Sequence, residues 1–399
     1  MIRFLENNIL YYKILYIVYA ILSITILREI PYFTQVFSLI MVFLSFIYFC
    51  VFIYNGIYIK MNRSRYLLIL FLLLQCSTFF ISKNYISDTT RLVFNGIYFL
   101  IISISIDSNK KDVNKIFKIT SLLIFIVIII SFIMYFLNLS ININSNIYGK
   151  LLEAEYYKSF VGITVNSNTI GILSSFLIIF SIHLLINKKR LAYINYFYIV
   201  IGIVSLVLSG SRGAILMFLI YVIMILILSN KGYLKLTISI FIIGSIGILI
   251  YYLNKINIDT ISTGRSVLWE NAFNIIKENK IFGVGTTSFV DIMKENSHVS
   301  LPGIEAGGLH NIYIQIALCN GLLAFFVFIT FILTSIIRFL KEILYKNNDN
   351  NKINISLFSI LVSILSLNLF ESTLIYICSF IALIFWICIG ELFSNLNLE

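Results

Sequence analysis

The chain has 399 residues, of which 60% are hydrophobic and 12% charged, with a formal net charge of +11. Soluble domains carry about 25% charged residues, so a soluble globular protein is excluded. Apolar runs near the ~20 residues that a helix needs to cross a bilayer core recur throughout, and they lack the short alternating pattern of barrel strands.

In chain order the runs predict about twelve transmembrane helices, at 12–27, 36–54, 66–82, 91–106, 117–138, 169–186, 191–208, 213–229, 236–253, 311–334, 353–369 and 373–392. The expected fold class is therefore all-α, a polytopic integral membrane protein forming one membrane domain over 1–399, without a soluble domain or an internal repeat. No cleavable signal peptide is expected, because the first run lacks a small-residue cleavage site and is followed at once by another. The five cysteines (Cys50, Cys76, Cys319, Cys378 and Cys388) all fall inside apolar runs without metal-ligand spacing, and read as packing residues.

Basic residues orient these spans. With the N-terminus inside, 18 of the 29 Lys and Arg residues fall on one side, among them Lys60, Arg63 and Arg65, Lys110 and Lys111, and Lys188 to Arg190. Positive charge in short loops marks the cytoplasm, so both termini are expected there. The net charge is mostly this topology signal. No basic patch is interleaved with aromatic residues, so nucleic acid is not an expected partner.

Two long loops then face outward, about 139–168 and 254–310. Loops of that length are seldom mere connectors. The second lies between helices 9 and 10. Within it, Val267, Leu268, Ala272, Phe273, Ile275 and Ile276 recur at helical spacing, which predicts an amphipathic helix on the outer surface over Ser266–Asn279. "GVG" at Gly283–Gly285 turns the chain, and it lacks the strand–helix setting of a nucleotide loop.

Three side chains on this outer side stand out. Arg212 lies in "LSGSRGAILMFLI", between two apolar spans joined so tightly that it must sit at the membrane boundary, where an arginine is costly unless paired or functional. Ser209, Gly210, Ser211 and Gly213 around it would let a bulky headgroup approach the backbone. Arg265 precedes the amphipathic helix, and fits either an interface arginine or an anion contact at a helix N-terminus. His310 opens "HNIYIQIALCNG" at the mouth of the tenth span, and can exchange a proton near neutral pH. Two permanent cations and one proton acceptor suit chemistry on a lipid-linked diphosphate. The arginines would hold the pyrophosphate and His310 would take the proton of an attacking hydroxyl. His298 lies mid-loop and His183 at the cytoplasmic end of the sixth span, and both suit this less. Glu305 is a lesser candidate, as base or as orienter of His310. Glu371, between the last two spans, reads as an interface charge. Asn311 and Tyr313 would lie near His310 and meet sugar hydroxyls. Trp269 would stack on a sugar or sit in the interfacial aromatic belt.

"SGSRGA", "GRSVLWENAFNIIKENKIFGVGTTSF" and "HNIYIQIALCNG" resemble, in order and spacing, the successive motifs of the O-antigen ligase and polymerase superfamily. "GITVNSNTIG", with Asn166 and Asn168, resembles its Gly…Asn-x-Asn element without the usual proline. The resemblance covers about 160–330, which it marks as the catalytic region. It implies a glycosyltransferase of the bacterial inner membrane with its active site on the extracytoplasmic face. The implied donor is an undecaprenyl-diphosphate-linked oligosaccharide, and the implied reaction is inverting and metal-independent, with no cofactor. Arg212, Arg265 and His310 fall on the family's important arginines and histidine. The reading favoured is a surface polysaccharide polymerase (O-antigen or capsule), working with the lipid bilayer and with a flippase and chain-length regulator as partners. The alternatives are a ligase delivering glycan to lipid A core or protein, and a flippase or other transporter.

Overall fold

A computed structural model describes residues 2–54, 63–77, 85–107, 111–144, 146–150, 160–187, 192–229, 265–297, 301, 304, 308–345, 351–376 and 379–396. The described helices are α1 (Ile2–Leu22), α2 (Phe33–Tyr54), α3 (Arg63–Ser77), α4 (Tyr85–Asp107), α5 (Lys111–Phe136), α6 (Ser167–Asn187), α7 (Ala192–Ser209) and α8 (Arg212–Ser229). They continue with α9 (Arg265–Glu278), α10 (Phe289–Glu295), α11 (Ile312–Tyr345), α12 (Asn351–Leu367) and α13 (Phe380–Asn395). Helices thus occupy eleven of the twelve expected span positions, and 236–253 lies outside the described residues. Among the described residues, four helices are long and apolar enough to cross a membrane: Val113–Phe136, Ser167–Asn187, Arg212–Ser229 and Ile312–Tyr345.

The centre of the bundle is α6. Its apolar stretch is 78% buried, against 17% for α8, and α5, α7, α8 and α12 pack around it. Small and hydroxyl residues let these helices close up, as membrane packing favours. A β-carbon at Gly171 would overlap Ser211, and one at Gly202 would overlap Ile178. Ser174 bonds Ser205 across α6 and α7 (2.7 Å), and Ser175 donates to the Ala214 carbonyl of α8 (2.8 Å). The N-terminal half of α6 and the start of α8 are therefore packed together.

The purely α expectation needs correction in the loop 139–168. Ser140–Ile143 (β1), Asn146–Lys150 (β2) and Phe160–Gly162 (β3) form an antiparallel sheet in the order β1-β2-β3. Isoleucine and tyrosine favour the pleated surface. Asn144, at φ 48°, supplies the left-handed residue of the hairpin turn. Tyr148 donates to Glu29 (2.7 Å), which ties the sheet to the segment after α1. Burial, then the Glu29 carboxylate, pushes the Tyr148 hydroxyl up to about 12, so it stays a donor.

α9 and α10 dock on the bundle through backbone. α11 breaks its helical geometry at Gly321, which has φ 82°. Leu318 and Cys319, in the turn before the break, turn their carbonyls to the loop after α9. Val284 N–H and Gly285 N–H donate to them (2.9 and 3.0 Å), and Leu322 N–H donates to Lys280 (2.8 Å). β-Carbons at Gly283 and Gly321 would strike the facing backbone. Both glycines also need a positive φ, which disfavours a side chain. On the other side Asp88 of α4 accepts from Thr286 and Thr287, and Arg91 donates to the Thr286 carbonyl.

Candidate functional site

The site residues stand where helices begin. Arg212 is the first residue of α8 and Arg265 the first of α9, while His310 lies two residues before α11. Helix N-termini leave unpaired N–H groups and a partial positive charge, which favour anions. Arg265 and His310 reach one short segment, Phe370–Glu371, which follows α12, and the start of α8, which Arg212 opens, lies beside it. Arg265 Nη1 donates to the Phe370 carbonyl (2.7 Å). A β-carbon on Gly213, beside Arg212, would lie 3.8 Å from Cβ of Phe370. Ile312 N–H, opening α11, reaches the carbonyls of Asn368 and Glu371, both at 3.2 Å.

Glu371 is the acid at this meeting point. Its Oε2 lies 3.6 Å from Nδ1 of His310, and both side chains keep some exposure, 17% and 19%. That nitrogen is buried and makes no hydrogen bond at this separation. His310 holds a left-handed backbone, φ 50°. For a residue with a β-carbon, such a conformation costs about 1–3 kcal/mol and persists where the surroundings impose it. Burial lowers the pKa of Arg265, and the Glu371 carboxylate opposes that shift. The guanidinium nevertheless stays charged, as arginine does in proteins.

The neighbours expected to meet sugar have partners within the chain. Asn311 caps α11: its Oδ1 accepts from Tyr313 N–H (3.0 Å) and Ile314 N–H (3.1 Å), and its Nδ2 donates to the Leu369 carbonyl (3.1 Å). The Tyr313 hydroxyl donates to Leu365 (2.9 Å). Trp269 Nε1 donates to the Leu309 carbonyl (2.9 Å). Arg265 and Trp269 lie four residues apart, hence on one face of α9, and together they hold that face to the segments carrying Glu371 and His310. Asn166 caps α6 through Thr169 N–H (2.8 Å). Asn168 lies in the same turn, which Gly171 packs against Ser209 and Ser211, next to Arg212. Glu305 and His298 lie outside the described residues. His183 is remote from the site, fully buried, and bonded to Ser356 and Asn187.

The family described as O-antigen ligase matches residues 197–329. This chain carries a region similar to that family's domain. That region contains Arg212, Arg265, Trp269, His310, Asn311 and Tyr313, together with the Gly283 and Gly321 docking contacts. A protein of Haemophilus influenzae described only as uncharacterized is 27% identical over 302 residues, covering 65% of this chain and 75% of that one. Glu371 lies beyond the matched ligase-family residues. Reading motifs alone therefore undervalued it. A usable signal was present: Glu371 is the sole charged residue between Lys352 and Glu391.

Proposed function

We propose that this protein is a surface polysaccharide polymerase, an inverting glycosyltransferase that needs no metal. It moves glycan from an undecaprenyl-diphosphate carrier to a hydroxyl of the next lipid-linked repeat unit, on the extracytoplasmic face. The observation that carries this reading is that Arg265, the His310–Glu371 pair and the start of α11 meet at Phe370–Glu371, with the start of α8 and its Arg212 alongside. Glu371 faces Nδ1 of His310, so the tautomer with the proton on Nδ1 is favoured and Nε2 is left as the acceptor. The acceptor hydroxyl gives its proton to Nε2 while its oxygen attacks the anomeric carbon. The bond from that carbon to the diphosphate oxygen breaks, and the lipid diphosphate leaves with the electron pair. Arg212 and Arg265, with the N-termini of α8 and α9 that they open, stabilise the charge that grows on it.

The family's description names the ligase reaction, which keeps transfer to lipid A core or protein as the second reading. The two share this chemistry and differ in the acceptor. Purified protein supplied with lipid-diphosphate-linked repeat units tests both, because polymer should form without lipid A core and in the presence of EDTA. Transfer only on adding lipid A core would select the ligase. Carrier translocation without glycan turnover would remove both.

A further inference from the structure

α9 carries two stripes. One, with Leu268, Ala272, Ile275 and Ile276, is buried against α11 and α10. The other faces away from the bundle. Glu270, Asn274 and Glu278 follow one another at four-residue spacing, hence in line along the helix, with Asn271 beside them. Together with Asn296 and Ser297, where α10 ends, they line a cleft of about 340 Å³. Asn271 Nδ2 donates to the Met293 carbonyl (3.3 Å), which pins α10 to α9 and sets the width of the cleft. Glu270, Asn274 and Glu278 make no hydrogen bond or ion pair among the described residues.

The chemistry of this lining narrows the ligand. The volume falls in the range of small-molecule sites, about 300–1,000 Å³. No cation is among the described residues that line the cleft, a lining unsuited to phosphate or to acidic sugars. Amides offer both donors and acceptors, and carboxylates accept from hydroxyl or ammonium groups. That combination matches the dense hydroxyls of a saccharide. The position fits as well. At 1.5 Å rise per residue, α9 runs about 20 Å from Arg265 to Glu278, so a chain lying along it leads away from the diphosphate end.

We propose that this cleft is a glycan subsite. It holds neutral or amino-bearing sugar rings behind the one being transferred, and rests on the reading of Arg265 and His310 as the reaction centre. Its carboxylates and amides bind the body of the chain while the arginines bind its lipid diphosphate.

The test uses the full-length protein in nanodiscs. The probe is the lipid-free repeat-unit oligosaccharide released from the carrier of the cells that make this protein, with binding followed by saturation-transfer NMR. Asn274→Trp fills the cleft, and Glu270→Gln with Glu278→Gln removes its charge without changing its shape. Each should weaken oligosaccharide binding at least tenfold. Each should also raise KM for a donor of several repeats while leaving kcat for a single-repeat donor near wild type. His310→Gln should bind the oligosaccharide normally and fail to turn over. Wild-type protein that does not bind the probe, or cleft variants that bind as wild type does, would overturn the subsite. If His310→Gln turns over normally while the cleft variants lose binding, the subsite stands and the reaction centre lies elsewhere.

Discussion

His183 and His310 mark opposite ends of the bundle and opposite uses of one side chain. His183, near the end of α6, is fully buried, with Nδ1 bonded to Ser356 (2.9 Å) and Nε2 to Asn187 (2.8 Å). Beside it a cavity of about 20 Å³, lined by Asn114, Asn354 and Glu391 among others, has room for roughly one water. His310 is partly exposed, left-handed and short of a hydrogen bond on Nδ1, and it faces a carboxylate. The first histidine is saturated by its partners and rigidifies the core. The second is held in place with capacity left for a substrate. Hydrogen-bond saturation, more than residue type or depth, separates the two ends.

The largest effect should come from the cations at the His310 end. Arg212→Ala and Arg265→Ala should lower transfer by about 10²–10³, the usual cost of losing a donor that stabilises developing charge, while the protein still inserts. Lysine at either position should restore only part, because it lacks the planar fork of donors. Full-length polymer from both alanine variants would remove the anion clamp. Glu371→Gln should have a smaller effect. Its carboxylate stabilises the imidazolium that forms on His310, and a charge pair about 4 Å apart is worth roughly 1–4 kcal/mol, so transfer should fall on the order of 10–100-fold with little change in donor affinity. Glu371→Asp should recover part of that loss. Unchanged turnover in Glu371→Gln would reduce the carboxylate to an interface charge. At the other end His183→Phe should barely change turnover per folded molecule. It removes one hydrogen bond each from Ser356 and Asn187, which keep Tyr221 and Asn114, so stability should fall by about 1–3 kcal/mol, read as a lower Tm in detergent. A selective loss of turnover there would erase the contrast between the ends.

Much of this was legible in the sequence, for a physical reason. Arg212 and His310 each border an apolar run, where an uncompensated polar group is costly, and Arg265 opens the amphipathic helix of the outer loop, so the pattern itself singles them out. The amphipathic helix was visible in its periodicity and appears as Arg265–Glu278. Glu371 was visible only as a lone charge, because its meaning depends on His310, sixty-one residues earlier in the chain. The roles of Asn311, Trp269 and Tyr313 were hidden likewise, since their partners are carbonyls 40–58 residues away. The glycines at 283 and 321 were readable as motif letters, but the backbone contact that requires them appears only when the loop after α9 meets the break in α11. The sheet in 139–168 was missed because its strands, three to five residues long, leave too little alternation to read.

The proton acceptor is the centre of the account, and His310→Gln probes it most directly. Glutamine keeps a hydrogen-bonding side chain at the mouth of α11 but cannot take up the proton of an attacking hydroxyl. Release of lipid diphosphate by the purified variant, measured beside its affinity for the lipid-linked donor, separates catalysis from binding. The account predicts near-normal donor affinity and a loss of turnover of about 10²–10⁴, the range for a general base. Wild-type turnover in His310→Gln would contradict it, and would leave His310 as a residue that merely shapes the entrance to α11.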